Sequence, residues 1–308
     1  MAYPYQISSS AFVPDPAFTP GPYSYNGNLY VALESHPAGP GDYIHIYKSS
    51  DDGATWAEQD SGNKKNYESR DTNTDFDTFR SGNKLYITYI PQGGTQLDIA
   101  EFDLTTDLWG TVITGGPEPE PFSVTFQDTR FKSFVLSNGN IRTLYMNYKA
   151  ATVRHQIEVA EYAGGSWGAG VVLFEPSVTD TYDDMDYWLH NAAIDPNDNI
   201  GIMVYAVPTG FDGNSGRFRF GVYSAAGSMS TVLRNALNIY KVDPPPAWDL
   251  SSGPSAIVTR SDGSYAFVFP AGQISAGANF EWVPGVLYAE PSNAVTTIRT
   301  DNLASTSS

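Results

Sequence analysis

Short apolar runs separated by turn residues dominate the pattern along this chain. Five tight-turn triplets each precede a run of alternating apolar residues: Asn26-Gly27-Asn28, Ser81-Gly82-Asn83, Asn138-Gly139-Asn140, Asn197-Asp198-Asn199 and Asp262-Gly263-Ser264. Asn-Gly and Asp-Gly pairs favour positive φ, so each triplet is predicted to join two antiparallel strands. No long segment repeats its apolar residues with a period of 3.6, so the pattern predicts few helices.

The five turns mark an internal repeat. Their centres recur every 55 to 65 residues, and a strand ending in an aromatic residue follows 20 to 25 residues after each centre. Those aromatic ends are Tyr47, Phe102, Tyr162, Tyr223 and Tyr288. With a more polar fourth strand in each unit, for example residues 168–174 and 228–234, the repeat predicts an all-β, five-bladed β-propeller of four-stranded antiparallel blades. A two-sheet sandwich is the alternative, but it would not produce five aligned hairpins.

The repeat also predicts the domain organisation. The units cover roughly residues 13–65, 66–122, 123–180, 181–243 and 244–302. No blade could bury both of its faces alone, so residues 1–308 are predicted to form a single propeller domain. An open ring would leave two exposed sheet edges, and the two ends of the chain are therefore expected to meet.

The charge balance excludes some classes of partner. The chain has 34 Asp and Glu against 17 Lys and Arg, a net charge of −17. Such an acidic surface repels phosphate backbones and anionic lipids, so neither nucleic-acid binding nor membrane insertion is expected. With no cysteine, the chain has no disulfide and no thiolate site. No signal peptide is visible, so we expect synthesis in the cytoplasm, with a virion or another export route as the setting for a surface role.

One segment matches a known motif at every defined position. Residues Ser49-Ser50-Asp51-Asp52-Gly53-Ala54-Thr55-Trp56 fit the Asp-box pattern Ser-x-Asp-x-Gly-x-Thr-Trp. The chain therefore resembles the Asp-box, sialidase-like β-propeller superfamily. There the box is a folding element on the face away from the active site, which implies a structural role for Ser49, Asp51, Gly53, Thr55 and Trp56. The Arg-Ile-Pro motif of true sialidases is absent, and sialidases have six blades.

A second resemblance concerns the first blade. Pro14-Asp15-Pro16-Ala17-Phe18, followed by Tyr30-Val31-Ala32, is similar to the opening of five-bladed glycosidases of the arabinanase and β-xylosidase type. The resemblance implies that Asp15 would be the general base. The general acid of that family, a Glu in a middle blade, has no clear match in this chain.

Aspartates recur just before the predicted innermost strands, 11 to 14 residues ahead of the turn centres. They are Asp15, Asp71, Asp128, Asp186 and Asp249. Radial repetition would place them around the channel mouth, on the face opposite the Asp-box. There they would accept sugar hydroxyls or hold a cation, or else cap turns. Asp15, Asp128 and Asp186 are the best catalytic candidates.

Further candidate ligand-binding residues lie beside these aspartates: Arg70, Arg130, Trp188, Trp248 and His190. The arginines would form ion pairs or bind an anionic ligand, and the indole rings would stack on sugars or pack between blades. The four histidines lack His-x-x-x-His spacing, so no zinc site and no cofactor are predicted. The acidic 183–186 loop is predicted either to bind Ca²⁺ or to be a solvated loop.

Three functions remain open from the sequence. The first is a non-catalytic propeller that recognises a glycan or another surface ligand. The second is a glycoside hydrolase, or a lyase, that uses the axial carboxylates, and the third is a scaffold that assembles with other protein subunits. An enzyme needs two suitably spaced carboxyl groups, and the sequence identifies no acid, so binding is the main hypothesis.

Overall fold

The computed structural model of the protein describes residues 21–35, 42–67, 76–119, 131–149, 154–175, 185–208, 217–229, 256–259, 261, 265–276, 279–289 and 295–299. Within these ranges the chain is almost entirely β-strand, and the one helical element is a 3-10 turn at Asp60–Gly62. In the same residues no helix is long and apolar enough to cross a membrane.

The described strands form five antiparallel sheets that follow one another along the chain, numbered here sheets 1 to 5. Sheet 1 contains β1 (Tyr23–Tyr25), β2 (Asn28–Ser35), β3 (Asp42–Ser49), β4 (Ala57–Glu58) and β5 (Lys65–Tyr67). Sheet 2 contains β6 (Phe76–Ser81), β7 (Lys84–Tyr89), β8 (Asp98–Asp103) and β9 (Leu108–Ile113). Consecutive strands are neighbours in both sheets, except that β4 and β5 both pair with β3.

The other three sheets repeat this arrangement. Sheet 3 contains β10 (Phe131–Val135), β11 (Ile141–Lys149), β12 (Arg154–Ala163), β13 (Ser166–Trp167) and β14 (Val171–Phe174). Sheet 4 contains β15 (Met185–Ile194), β16 (Ile200–Pro208) and β17 (Arg217–Tyr223). Sheet 5 contains β18 (Ala256–Thr259), β19 (Tyr265–Ala276), β20 (Asn279–Ala289) and β21 (Val295–Arg299).

The predicted tight turns join the first two strands of their sheets. Asn26 and Gly27 adopt φ of 48° and 76°, the two positive values that a two-residue type I′ hairpin requires, and Tyr25 pairs with Asn28. Gly82, Gly139 and Asp198 also have positive φ at the other described turns. The fifth triplet, Asp262-Gly263-Ser264, lies outside the described residues, but the strands on either side of it, β18 and β19, pair antiparallel.

The outer strands differ in detail from the prediction. In sheet 3 the expected single strand over residues 168–174 is two short strands, β13 and β14, which both pair with β12. A register shift between Ile157 and Glu158 lies within the pairing of β12 with β14. In sheet 4 an isolated bridge joins Tyr223 to Met229, and the rest of the predicted 228–234 strand lies outside the described residues.

The fold class is thus the predicted one, an all-β chain of five antiparallel sheets with the strand order of propeller blades. By its internal contacts the chain divides into two compact units. Unit 1 is Met1–Val135, Gly139–Tyr145 and Ala160–Gly170, and unit 2 is Leu136–Asn138, Met146–Val159 and Val171–Ser308. Ring closure and the single domain stay predictions.

The core of unit 1 lies between sheets 1 and 2. Alternate residues of β2 and β7 face it, because successive side chains of a strand point to opposite faces. Tyr30, Ile44, Leu85, Ile87 and Phe102 are fully buried there. Each such side chain contributes roughly 1.5–3 kcal/mol through the burial of apolar surface.

The described core of unit 2 lies on both faces of β16. Ile200, Ile202 and Met203 are fully buried, so neither face of this strand meets water. Across the sheets, the rings of Phe220 and Phe267 pack with centroids 5.1 Å apart. Gly201 has no side chain, and this lets the ring of Tyr265 lie directly against the backbone of β16.

Candidate functional site

Most of the predicted ligand-binding residues lie outside the described part of the chain: Asp15, Arg70, Asp71, Asp128, Arg130, Trp248 and Asp249. Asp186, Trp188 and His190 belong to β15, and the structure describes only the backbone of these three residues. Asp186 pairs with Val207 and Trp188 with Tyr205 in the register of sheet 4. The ring of axial carboxylates therefore stays a prediction.

The repeat predicts that the tight turns and the Asp-box lie at one end of the sheets and that the innermost strands start at the other end. In sheet 1 the Asn26-Gly27 turn and the Asp-box lie at the same end, because Leu29 pairs with Ser49. In sheet 2 the amide of Leu104, which follows β8, donates to the carbonyl of Asn83 in the first turn. The starts of the innermost strands lie at the opposite end. The side chains at that end of unit 1 are therefore the described part of the predicted functional face.

Buried polar groups gather at that end, where β6 and β10 begin. Asp77 is 5% exposed, and its Oδ1 lies 2.9 Å from Lys132 Nζ. Its Oδ2 accepts the backbone N–H of Ser133 at 3.1 Å. Together with Tyr23 and Thr78 these residues form what we call the Asp77 cluster. The ion pair between Asp77 and Lys132 links sheet 2 to sheet 3 within unit 1.

A chain of hydroxyl groups continues from the cluster. Thr88 on β7 donates to Ser133 Oγ at 2.8 Å, and Ser133 Oγ lies 2.8 Å from Thr143 Oγ1 on β11. All three residues are almost fully buried. Since each hydroxyl has another as its partner, these groups are buried without the cost of an unsatisfied donor.

Tyr23 brings β1 into the same cluster. Its hydroxyl donates to the carbonyl of Thr78 at 2.7 Å and lies 3.0 Å from Thr78 Oγ1. Burial raises the pKa of Tyr23 to about 12; the hydrogen bond to Thr78 opposes this shift and the negative charge of Asp77 adds to it. Tyr23 is therefore a neutral hydrogen-bonding group at any physiological pH.

The geometry of the cluster suits binding better than proton transfer. Both carboxylate oxygens of Asp77 are occupied, one by an ammonium group and one by an amide. The Lys132 side chain is 33% exposed, and an ammonium group has three donors. The Lys132 ammonium can thus donate its other N–H groups to oxygen atoms of a ligand while Asp77 keeps the ammonium in place.

The sequence prediction missed Asp77 and Lys132, although a signal was present. The inner strands begin with Phe76-Asp77-Thr78-Phe79 and Phe131-Lys132-Ser133-Phe134. Both segments read aromatic, charged, hydroxyl, aromatic, and the two charges are opposite. Opposite charges at the same position of two successive repeats predict a pair, because radial repetition brings equivalent positions together.

The Asp-box is a hydrogen-bonded turn. Asp51 Oδ1 accepts the Thr55 amide at 2.8 Å and the Ser49 hydroxyl at 2.8 Å, while Oδ2 accepts the Thr55 hydroxyl at 2.7 Å. Gly53 has φ of 88°, and its carbonyl accepts the indole N–H of Trp56 at 3.0 Å. These bonds are local to the β3–β4 connection, as expected for a structural element.

Acid should weaken this turn. The hydrogen bonds from the Thr55 hydroxyl, the Thr55 amide and the Ser49 hydroxyl lower the pKa of Asp51 from 3.8 to about 2. Because the folded-state pKa is depressed, the stabilisation is complete above pH about 4 and is lost as the pH falls towards 2. We expect Asp51→Asn to melt below the wild type at neutral pH, with a difference that shrinks across that window. A constant difference in melting temperature would contradict this role.

Among the described residues, no group of three or more His, Cys, Asp or Glu could hold a metal ion. Of the acidic 183–186 loop predicted as a Ca²⁺ site, residues 183 and 184 lie outside the described residues, and Met185 and Asp186 begin β15.

Comparison with known proteins gives structural matches alone. Neither a protein-family model nor a curated protein sequence matches the chain. A protein of unknown function from Dyadobacter fermentans is similar in structure, with a TM-score of 0.50, 11% identity, and coverage of 90% of this chain and 80% of that one. A thermostable family-43 glycoside hydrolase has a TM-score of 0.46 at 15% identity, with 97% of this chain and 96% of that chain covered.

An α-L-arabinanase from Penicillium chrysogenum, in complex with arabinobiose, has a TM-score of 0.47 at 17% identity, with 89% of each chain covered. Similarity at identities this low concerns the fold alone and does not extend to activity. The arabinanase is of the type that the second sequence resemblance names. The resemblance to the sialidase-like superfamily stays a prediction.

Proposed function

We propose that this chain is a glycoside hydrolase of the β-propeller type, whose site lies at the end of the inner strands opposite the Asp-box. The observation that supports this proposal is the Asp77 cluster, which places a substrate-binding ammonium group, that of Lys132, near the first residues of β6 and β10. Asp128 precedes Phe131 by three residues, and an extended chain of three residues spans at most about 11 Å. We therefore infer that the Asp128 carboxyl group belongs to the same end of the sheets as the cluster.

The roles follow from the chemistry of glycoside cleavage. One carboxyl group protonates the leaving oxygen, and a second acts as base or nucleophile. We assign these roles to Asp15 and Asp128 among the predicted catalytic candidates. Asp77, whose two oxygens are occupied, positions Lys132, and the Lys132 ammonium donates to an oxygen of the sugar. The substrate class is a neutral or anionic polysaccharide.

Turnover of polysaccharides and chromogenic glycosides tests the proposal. We expect the wild type to release product from at least one member of a panel that includes arabinan and xylan, and Asp128→Asn to lower kcat by about 100-fold or more. Asp51→Asn, in the Asp-box, is the matched control and should keep kcat. Lys132→Met should raise KM more than it lowers kcat. Equal turnover by wild type and Asp128→Asn would contradict the assignment of Asp128.

The second candidate is non-catalytic recognition of a glycan or another surface ligand. The observation that favours it is the ion pair of Asp77, since a carboxylate held by an ammonium and an amide suits binding rather than proton transfer. A glycan array read alongside the turnover panel separates the two functions. Glycan binding without turnover would support recognition. The absence of both binding and turnover would support the scaffold that binds other protein subunits.

A further inference from the structure

A serine, a histidine and a glutamate form a hydrogen-bonded chain across three strands of sheet 1. Ser35 Oγ lies 2.7 Å from His45 Nε2, and His45 Nδ1 lies 2.5 Å from Glu58 Oε1. Ser35 ends β2, His45 is in the middle of β3, and Glu58 ends β4. None of the three belongs to the Asp77 cluster or to the Asp-box.

The register of the sheet explains how they meet. His45 pairs with Leu33, so Ser35 is the diagonal neighbour two residues along β2. Glu58 pairs with Tyr47, two residues from His45 along β3. Residues two apart share one face of a strand, so all three side chains project on the same side of sheet 1.

The hydrogen-bond partners define the tautomer of His45. An ionised carboxylate only accepts, so Glu58 takes the N–H of Nδ1. In the neutral imidazole Nε2 is then the acceptor, and the Ser35 hydroxyl donates to it. The rings of Tyr43 and Tyr47, with centroids 6.4 Å and 6.3 Å from that of His45, hold the imidazole between them.

We propose that Ser35 is an activated nucleophile that reacts with carboxylic esters and with phosphonylating electrophiles, with His45 as its general base and Glu58 as the positioning residue. A nucleophile within hydrogen-bond reach of a base, which a third group orients in turn, is the arrangement that activates a serine. His45 is 8% exposed, Ser35 is half-buried, and the Glu58 side chain is 34% exposed, so the carboxylate keeps contact with water. This activity would be separate from glycoside hydrolysis.

The chemical step is acyl transfer. The Oγ–C bond forms as the Ser35 proton moves to His45 Nε2, and the bond from the acyl carbon to the alcohol oxygen breaks as the departing alcohol takes that proton. Water then attacks the acyl-serine, its proton passes through Nε2 to Oγ, and a carboxylic acid leaves. With a fluorophosphonate the P–O bond forms, the P–F bond breaks, fluoride leaves, and the proton passes from Nε2 to solvent.

Labelling by a fluorophosphonate, followed by intact mass and peptide mapping, tests the proposal. We expect one phosphonyl group per chain, located on Ser35, and no labelling of Ser35→Ala. Labelling should be about 100-fold slower in His45→Gln and at least about tenfold slower in Glu58→Gln, since the amide cannot stabilise an imidazolium. Ser224→Ala is the matched control and should label like the wild type, because Ser224 has the Ser228 hydroxyl, 2.8 Å away, as its partner.

Two further measurements test the proposal if a variant does not fold. When the reaction is carried out in denaturing urea, the wild type should not be labelled on Ser35. The folded wild type should release a burst of nitrophenol from p-nitrophenyl acetate, and Ser35→Ala should not. If folded wild type labels Ser35 no faster than urea-denatured protein, or if folded His45→Gln labels at the wild-type rate, the three residues are only a structural link between strands and the proposal is wrong.

Discussion

Asp77→Ala should lower the free energy of unfolding by about 3 kcal/mol, because both oxygens of this buried carboxylate have partners. The substitution leaves the Ser133 amide buried without its acceptor and the Lys132 ammonium without its partner. Lys132 is one-third exposed and can turn towards water, which keeps the loss below that of a fully buried ion pair. Urea unfolding followed by circular dichroism measures the change.

A second ion pair in the same unit supplies the control. Lys84 Nζ lies 2.6 Å from Glu101 Oε2, with side-chain exposures of 38% and 16%. Glu101→Ala should cost less than about 1 kcal/mol, as is usual for exposed pairs. The double variant Asp77→Ala/Lys132→Met should be more stable than the sum of the two single losses predicts, because the two residues interact directly. Equal small losses for Asp77→Ala and Glu101→Ala would show that the Asp77 cluster is not a structural centre.

Gly201→Ala should destabilise the protein by about 2–3 kcal/mol through overpacking. A Cβ at position 201 would lie 2.6 Å from Cδ1 and 2.7 Å from Cε1 of Tyr265. The ring has little freedom to move, because Tyr265 is 2% exposed and its hydroxyl donates to the carbonyl of Asn199 at 3.0 Å. Thermal and urea unfolding should both show the loss.

Gly168→Ala is the matched glycine-to-alanine control. Gly168 is exposed, and a Cβ there would meet only the Glu161 carbonyl, at 3.4 Å, an ordinary contact distance. Its stability should change by less than about 0.5 kcal/mol. If both variants have the stability of the wild type, β16 and β19 do not pack as closely as the structure describes.

The sequence by itself determined the local architecture. Asn26 and Gly27 require positive φ wherever they form a two-residue turn, and strand alternation on either side sets which side chains face inward. The same local rules predicted a strand directly after each triplet, and β7 and β11 begin at Lys84 and Ile141, next to the triplets that end at Asn83 and Asn140. Five repeats of one hairpin pattern were enough to predict five antiparallel sheets, because each hairpin depends on neighbouring residues alone.

Only the tertiary structure decided which polar side chains meet. Asp77 and Lys132 are 55 residues apart and lie on different sheets, so their pairing depends on how the sheets pack. Ser35, His45 and Glu58 meet through the register of β2, β3 and β4, and a shift of one residue would send each side chain to the opposite face. Local preferences describe single strands, whereas these contacts depend on sheet packing and strand register, which is why the sequence prediction did not include the Asp77 cluster.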